Sequence, residues 1–223
     1  MRIVLLSLLF ASFASPALAA DLTLNVFPRE GAILGEEHRF SGSLAQGGKP
    51  APGQVVLLTA RPHPFNGAFE EIERTITDAG GRYTFLEQLE RNHQVQILSV
   101  ATSTFPAASS RVARAYVFPS ARLSARTVRR NVVQITQTFT VPRDVVLKAP
   151  TRFYLGRARA ATAAFVRAGG TRRVRAGRFR ARVTVRVPAA YRGRFSYAAC
   201  FRATRGSGLG DPKATCPTRR FRF

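Results

Sequence analysis

Residues 177 to 188 read GRFRARVTVRVP, in which Arg178, Arg180, Arg182 and Arg186 alternate with Phe179, Ala181, Val183, Val185 and Val187. A guanidinium stays charged at any physiological pH and presents five donors in a planar fork, which matches phosphate and carboxylate oxygens two at a time. In an extended strand successive side chains face opposite ways, so arginines two positions apart lie on one face about 6.7 Å from each other. That spacing falls inside the Debye length of about 8 Å at physiological salt, and neighbouring charges feel each other. The pattern recurs downstream. Arg192, Arg194 and Arg202 share one parity while Tyr191, Phe195, Tyr197 and Phe201 share the other, and Arg220 and Arg222 alternate with Phe221 and Phe223. The candidate polyanion-binding residues are therefore Arg178, Arg180, Arg182, Arg186, Arg192, Arg194 and Arg202.

Two readings of these arginines stand side by side. In one, a polymer supplies the anions that the chain lacks. In the other, the arginines are the solvated face of an amphipathic sheet, their stems covering apolar neighbours and their charges deterring edge-to-edge aggregation. Paired strands of this kind would oppose like charges, which destabilises a sheet.

Other reactive side chains are sparse. Cys200 and Cys216 enclose 15 residues, and an even pair in an exported chain is expected to form a disulfide. A loop of that size contributes roughly 3 kcal/mol in the chain-entropy description. The histidines, His38, His63 and His93, have neither His nor Cys at a metal-ligand spacing and are expected in turns or on the surface. RGSGLG, residues 205 to 210, lacks the Lys-Ser/Thr of a phosphate loop and leads to no helix, so it is expected to be a flexible tip. Glu70, Glu71 and Glu73 share one strand-like run, a spacing equally expected of exposed residues. No Gly-x-Ser-x-Gly elbow occurs. These absences point to a noncatalytic protein with no cofactor and no metal.

Charge is divided along the chain. Asp21 to Phe118 carries ten acids against nine bases, whereas Pro119 to Phe223 carries two acids, Asp144 and Asp211, against 25 bases. Only three lysines occur, so a GC-rich genome could account for arginine over lysine, but not for the segregation of both bases and acids. The amino terminus, MRIVLLSLLFASFASPALAAD, has a basic start, an apolar run and a small-residue cleavage site, the pattern of a secretory signal peptide. Its apolar run is shorter than the roughly 20 residues that span a bilayer, and no transmembrane segment is expected elsewhere. The expected organisation is a signal peptide over residues 1–19, a first unit over 20–118 and a basic second unit over 119–223.

The elements that must position the arginines are strands. Short β-rich runs punctuated by Gly and Pro are expected near Leu22 to Phe27, His38 to Leu44, Gln54 to Ala60, Glu70 to Thr77, Arg82 to Leu86, Gln94 to Ala101 and Val112 to Phe118. TDAGGRYTF, Thr77 to Phe85, reads as a hairpin with Gly80 and Gly81 in its turn. In the second half the alternation of Val133, Ile135, Phe139 and Val141 with Gln134, Thr136, Thr138 and Thr140 marks a half-buried strand. Further strands are expected around Arg152 to Leu155, Ala163 to Val166, Arg172 to Ala176, Arg178 to Val187, Arg194 to Ala203 and Thr218 to Phe223. The fold class is all-β, two β-sandwich, immunoglobulin-like domains in tandem.

GKPAPGQVVLL, Gly48 to Leu58, followed by TDAGGRYTF, resembles the carboxypeptidase regulatory-like domain, a transthyretin-like sandwich. The matching positions are Pro52, Gly53, Thr77, Asp78, Gly81, Tyr83 and Phe85, within about residues 40–100. The resemblance implies a noncatalytic accessory module with a carbohydrate-binding-like fold. The expected function is that of a secreted or cell-envelope binding protein whose basic second half takes a polyanion: an envelope polymer, an acidic polysaccharide or a nucleic acid. The alternative is a structural or adhesive module with a carbohydrate-binding-like first sandwich and incidental charge.

Overall fold

The computed structural model describes residues 19–147, 150–157, 164–191, 194–201, 205–210 and 218–222. Among these residues the secondary structure is strands plus two single-turn 3-10 segments, Ala189–Tyr191 and Arg205–Ser207. The signal-peptide expectation falls almost wholly outside the described residues, as does Cys216, and with it the expected disulfide.

In the first half the ten-residue strand Glu37–Gln46 is the hub of one sheet. It pairs antiparallel with Ala20–Leu22, Asn25–Phe27, Lys49–Pro50 and Arg82–Gln88. The opposing sheet runs in the order Ala108–Ser109, His93–Ser99, Val55–Pro62, Glu70–Ile76, with Ala113–Ala115 also paired to His93–Ser99. Alternate residues of both sheets point inward, and Phe40, Leu44, Tyr83 and Phe85 share a core with Val56, Leu58, Val95 and Ile97.

The second half is a four-on-four sandwich. Its first sheet has the order Ser120–Arg129, Val132–Thr140, Arg178–Arg186, Thr171–Arg175, and its second Ala164–Gly169, Thr151–Arg157, Arg194–Phe201, Thr218–Arg222. Val133, Ile135, Phe139, Phe179, Val183 and Val185 are buried in the same core as Phe153, Leu155, Phe195 and Tyr197. The amide of Gln137, also fully buried, reaches from the first sheet toward the Ala199 carbonyl of the second at 3.5 Å.

The structure departs from the sequence reading at four places. TDAGGRYTF is not a hairpin. Its turn is present, with the Asp78 carboxylate accepting from the Gly80 and Arg82 amides and Gly81 at φ +70°. However, Glu70–Ile76 pairs with Val55–Pro62 in one sheet while Arg82–Gln88 pairs with Glu37–Gln46 in the other. A tight turn is compatible with either route, and burial of Tyr83 and Phe85 beside Phe40 selects the crossing. Second, Ser120–Arg129 is a strand that the apolar pattern did not announce, because its inward side carries only Ala121, Leu123 and Ala125. Third, His38 is not a surface residue: it is fully buried, stacked on Phe40, with Nε2 at 3.0 Å from the Tyr116 carbonyl.

Fourth, RGSGLG is no free tip. Leu209 is 2 % exposed, and the segment is held against the first half by backbone bonds. The Asn92 amide donates to the Gly208 carbonyl at 2.7 Å, and the Gly210 amide to the Val117 carbonyl at 2.7 Å. The Asn92 side chain closes the arrangement, donating from Nδ2 to the Gly210 carbonyl at 2.9 Å and accepting from the Val117 amide at 2.8 Å. Arg91 adds an ion pair to Asp144 at 2.8 Å. Among the described residues no strand of one half pairs with a strand of the other, yet these contacts join the two sandwiches and their buried side chains form one apolar cluster.

Candidate functional site

The arginine strand lies inside its sheet, between Val132–Thr140 on one side and the edge strand Thr171–Arg175 on the other. Phe179, Ala181, Val183 and Val185 are buried, and Arg178, Arg182 and Arg186 are exposed with Arg180 half-buried, as strict alternation requires. Antiparallel register decides what each arginine meets. Arg178, Arg180, Arg182 and Thr184 lie opposite Thr140, Thr138, Thr136 and Gln134. One step further, Thr138 is opposite Arg122, and Gln134 is opposite Arg126, whose Nε donates to the Gln134 side-chain oxygen at 3.0 Å.

The outer face is therefore striped. A column of Arg122 and Arg126 and a column of Arg178, Arg180, Arg182 and Arg186 flank a neutral Thr/Gln column. Two strand spacings put the charged columns roughly 10 Å apart, beyond the Debye length of about 8 Å; within the columns Arg178, Arg180 and Arg182 follow one another at about 6.7 Å, whereas Arg122 and Arg126, like Arg182 and Arg186, are about 13 Å apart. In this sheet the expected clash of arginine against arginine is thereby limited, among the described residues, to Arg180 opposite Arg172 and Arg178 opposite Arg175, at the edge strand. There the side chains are free to splay into solvent.

No carboxylate compensates this face among the described residues. Asp144 is bonded to Arg91 of the first half, which holds its carboxyl below the usual range. The carboxylates of the first half are elsewhere: Glu71 forms a two-pronged contact with Arg74 at 2.7 and 2.9 Å, and Glu87 is pushed up by burial and then by Glu73.

The seven candidate arginines do not form one row. Arg178, Arg180, Arg182 and Arg186 share the first sheet, whereas Arg194 belongs to a strand of the second sheet, opposite Arg222. Arg192 and Arg202 lie outside the described residues. The structure adds Arg122, Arg126, Arg172 and Arg175 to the face. A signal for the first two was available, since SARLSAR alternates as regularly as the arginine strand, with alanine in place of larger apolar residues.

Among the described residues no group of three or more His, Cys, Asp and Glu is placed to hold a metal, and no helix is long and apolar enough to cross a membrane. No family model matches the chain, and no curated protein matches it. Among solved structures, bovine butyrophilin aligns over 94 % of this chain and 99 % of its own at 11 % identity with a TM-score of 0.44. The D0-D1 domain of intimin aligns over 92 % of this chain and 100 % of its own at 13 % identity with a TM-score of 0.34.

Proposed function

We propose that the protein is an exported, noncatalytic binding protein that takes a polyanion on the outer face of the first sheet of its second sandwich. The observation that carries this reading is the striped arginine face, on which no described residue is a carboxylate. Rows of guanidinium groups around hydroxyl and amide side chains offer charge to an anionic chain and hydrogen bonds to its neutral parts. Residues 20–118 act in this reading as a carboxypeptidase regulatory-like accessory module and residues 119–223 as the basic unit. The docked segment 205–210 favours a tandem held in one arrangement, which also suits an adhesive or structural module with incidental charge. Salt dependence separates the two. On duplex DNA the logarithm of affinity falls by about 0.9 per phosphate neutralised for each tenfold rise in salt. The mature chain should bind heparin and duplex DNA with a steep salt slope, and the triple change Arg180→Ser, Arg182→Ser, Arg186→Ser should flatten the DNA slope by roughly two to three units. Binding that ignores salt, or a triple variant that binds unchanged, leaves the adhesive reading.

A further inference from the structure

The two ends of the arginine strand are built alike. At one end the chain turns through Arg130 and Asn131 between Ser120–Arg129 and Val132–Thr140, with Asn131 at φ +59°. At the other it turns through Ala176 and Gly177 between Thr171–Arg175 and Arg178–Arg186, with Gly177 at φ +69°. In each case the carbonyl of the left-handed residue accepts the amide just past the end of the neighbouring strand: Val187 to Asn131 at 2.8 Å, and Val141 to Gly177 at 3.0 Å. These bonds tie each turn to the sheet. Beside the first turn lies a hollow of about 380 Å³ lined by Arg129, Arg130 and Arg186 with Thr184. Beside the second lies one of about 490 Å³ lined by Arg143, Arg175 and Arg178 with Thr140. Among the described residues each hollow thus gathers three arginines and one threonine, with no carboxylate in its lining.

We infer that these hollows are paired phosphoryl seats and that the ligand of the arginine face is a linear phosphate polymer long enough to reach both. The inference rests on the polyanion reading above and narrows it. Three forked guanidinium groups suit a terminal phosphate, which carries close to two charges and three strong acceptor oxygens, better than a carboxylate with one charge and two oxygens. The described residues of this face are Arg, Thr, Ser and Gln with Val128 and Val132, none of them aromatic, so they offer no stacking platform of the kind that single-stranded nucleic acids use. The seats stand at opposite ends of the paired strands, since Val132 lies opposite Arg186 and Thr140 opposite Arg178. Eight residue steps separate them by about 27 Å. Occupying both with one chain converts the second contact into an intramolecular one.

The test uses the full mature chain with three probes: inorganic triphosphate, inorganic polyphosphate long enough to span the strand, and a carboxylate polymer, polyglutamate, of matched length. Long polyphosphate should bind far more tightly than triphosphate. Either end variant, Arg143→Ser with Arg175→Ser or Arg129→Ser with Arg130→Ser, should weaken long polyphosphate by roughly ten- to hundredfold. The off-seat pair Arg122→Ser with Arg126→Ser, which removes as much charge, should cost less. Circular dichroism melts check that the variants are folded. End variants no weaker than the off-seat pair overturn the seats while the polyanion reading stands. Preference for polyglutamate overturns the phosphate assignment and likewise leaves that reading. Absence of salt-dependent binding to every probe, heparin and duplex DNA included, removes both.

Discussion

Asn92→Ala tests whether the RGSGLG segment holds the two sandwiches together. Asn92 is buried, and its side chain satisfies the Val117 amide and the Gly210 carbonyl at once. Alanine removes both partners. A buried group left without its hydrogen bond costs about 1–3 kcal/mol. Val117 is fully buried, so its amide bears that cost in full, whereas half-buried Gly210 is open to water and bears less. The total should be about 2–4 kcal/mol, which for a chain of this size lowers the melting temperature by roughly 4–16 °C. The backbone bond from the Asn92 amide to Gly208 survives the substitution, so the segment should loosen rather than detach. Differential scanning calorimetry reads the midpoint, and hydrogen exchange at the Val117 and Gly210 amides reads the site itself. Asn92→Asp sharpens the test: it keeps an acceptor for Val117 but sets an anion against the Gly210 carbonyl, and near neutral pH it should be at least as damaging as alanine. An unchanged midpoint together with unchanged exchange at Val117 would refute the reasoning.

Further outcomes are expected from the core, the turn, the buried His38 and the half-buried His93. Phe179→Ala, in the core beneath the arginine face, should cost about 3–5 kcal/mol in urea unfolding. The triple change of Arg180, Arg182 and Arg186 to serine should stay within about 0.5 kcal/mol per site or stabilise by relieving repulsion, although it lies on the same strand. Gly81→Ala should be strongly destabilising, because at φ +70° an added Cβ would stand 2.5 Å from the Leu44 carbonyl oxygen; a neutral effect in a thermal melt contradicts the crossing geometry. Burial, partly opposed by hydrogen bonds to the Tyr116 and Arg91 carbonyls, lowers the pKa values of His38 and His93 below their ordinary 6.5. The unfolded chain therefore takes up these protons first. Their stability contribution is complete above about pH 6.5 and is lost as pH falls toward the lowered folded values, a slope that His38→Gln should flatten in urea titrations at successive pH values.

Much of the second sandwich was legible because alternation is a local property. Phe179, Val183 and Val185 face inward beside outward arginines whatever strand lies next to them, and the same holds for Val133, Ile135 and Phe139. Ser120–Arg129 escaped notice because alanine marks an inward face weakly: it buries little area and is not a strong strand former. RGSGLG misled for a different reason. Glycine and serine describe how freely a backbone bends when alone, and the single Leu209 that anchors the segment says nothing of where its pocket is.

By itself the sequence determined the all-β class, the inward and outward side of most strands and the segregation of charge into the second half, since each depends on residue type and a two-residue period. Only the tertiary structure decided which strands are neighbours. Glu70–Ile76 and Arg82–Gln88 part into different sheets across one tight turn, and the arginine strand is set beside Val132–Thr140, a neutral strand more than thirty residues earlier in the chain. Pairing across such separations is chosen by total burial against loop-closure entropy, a sum over the whole chain. That choice placed threonine and glutamine between the charged columns, and so decided that the arginines of Ser120–Arg129 and Arg178–Arg186 stand apart instead of opposing one another directly.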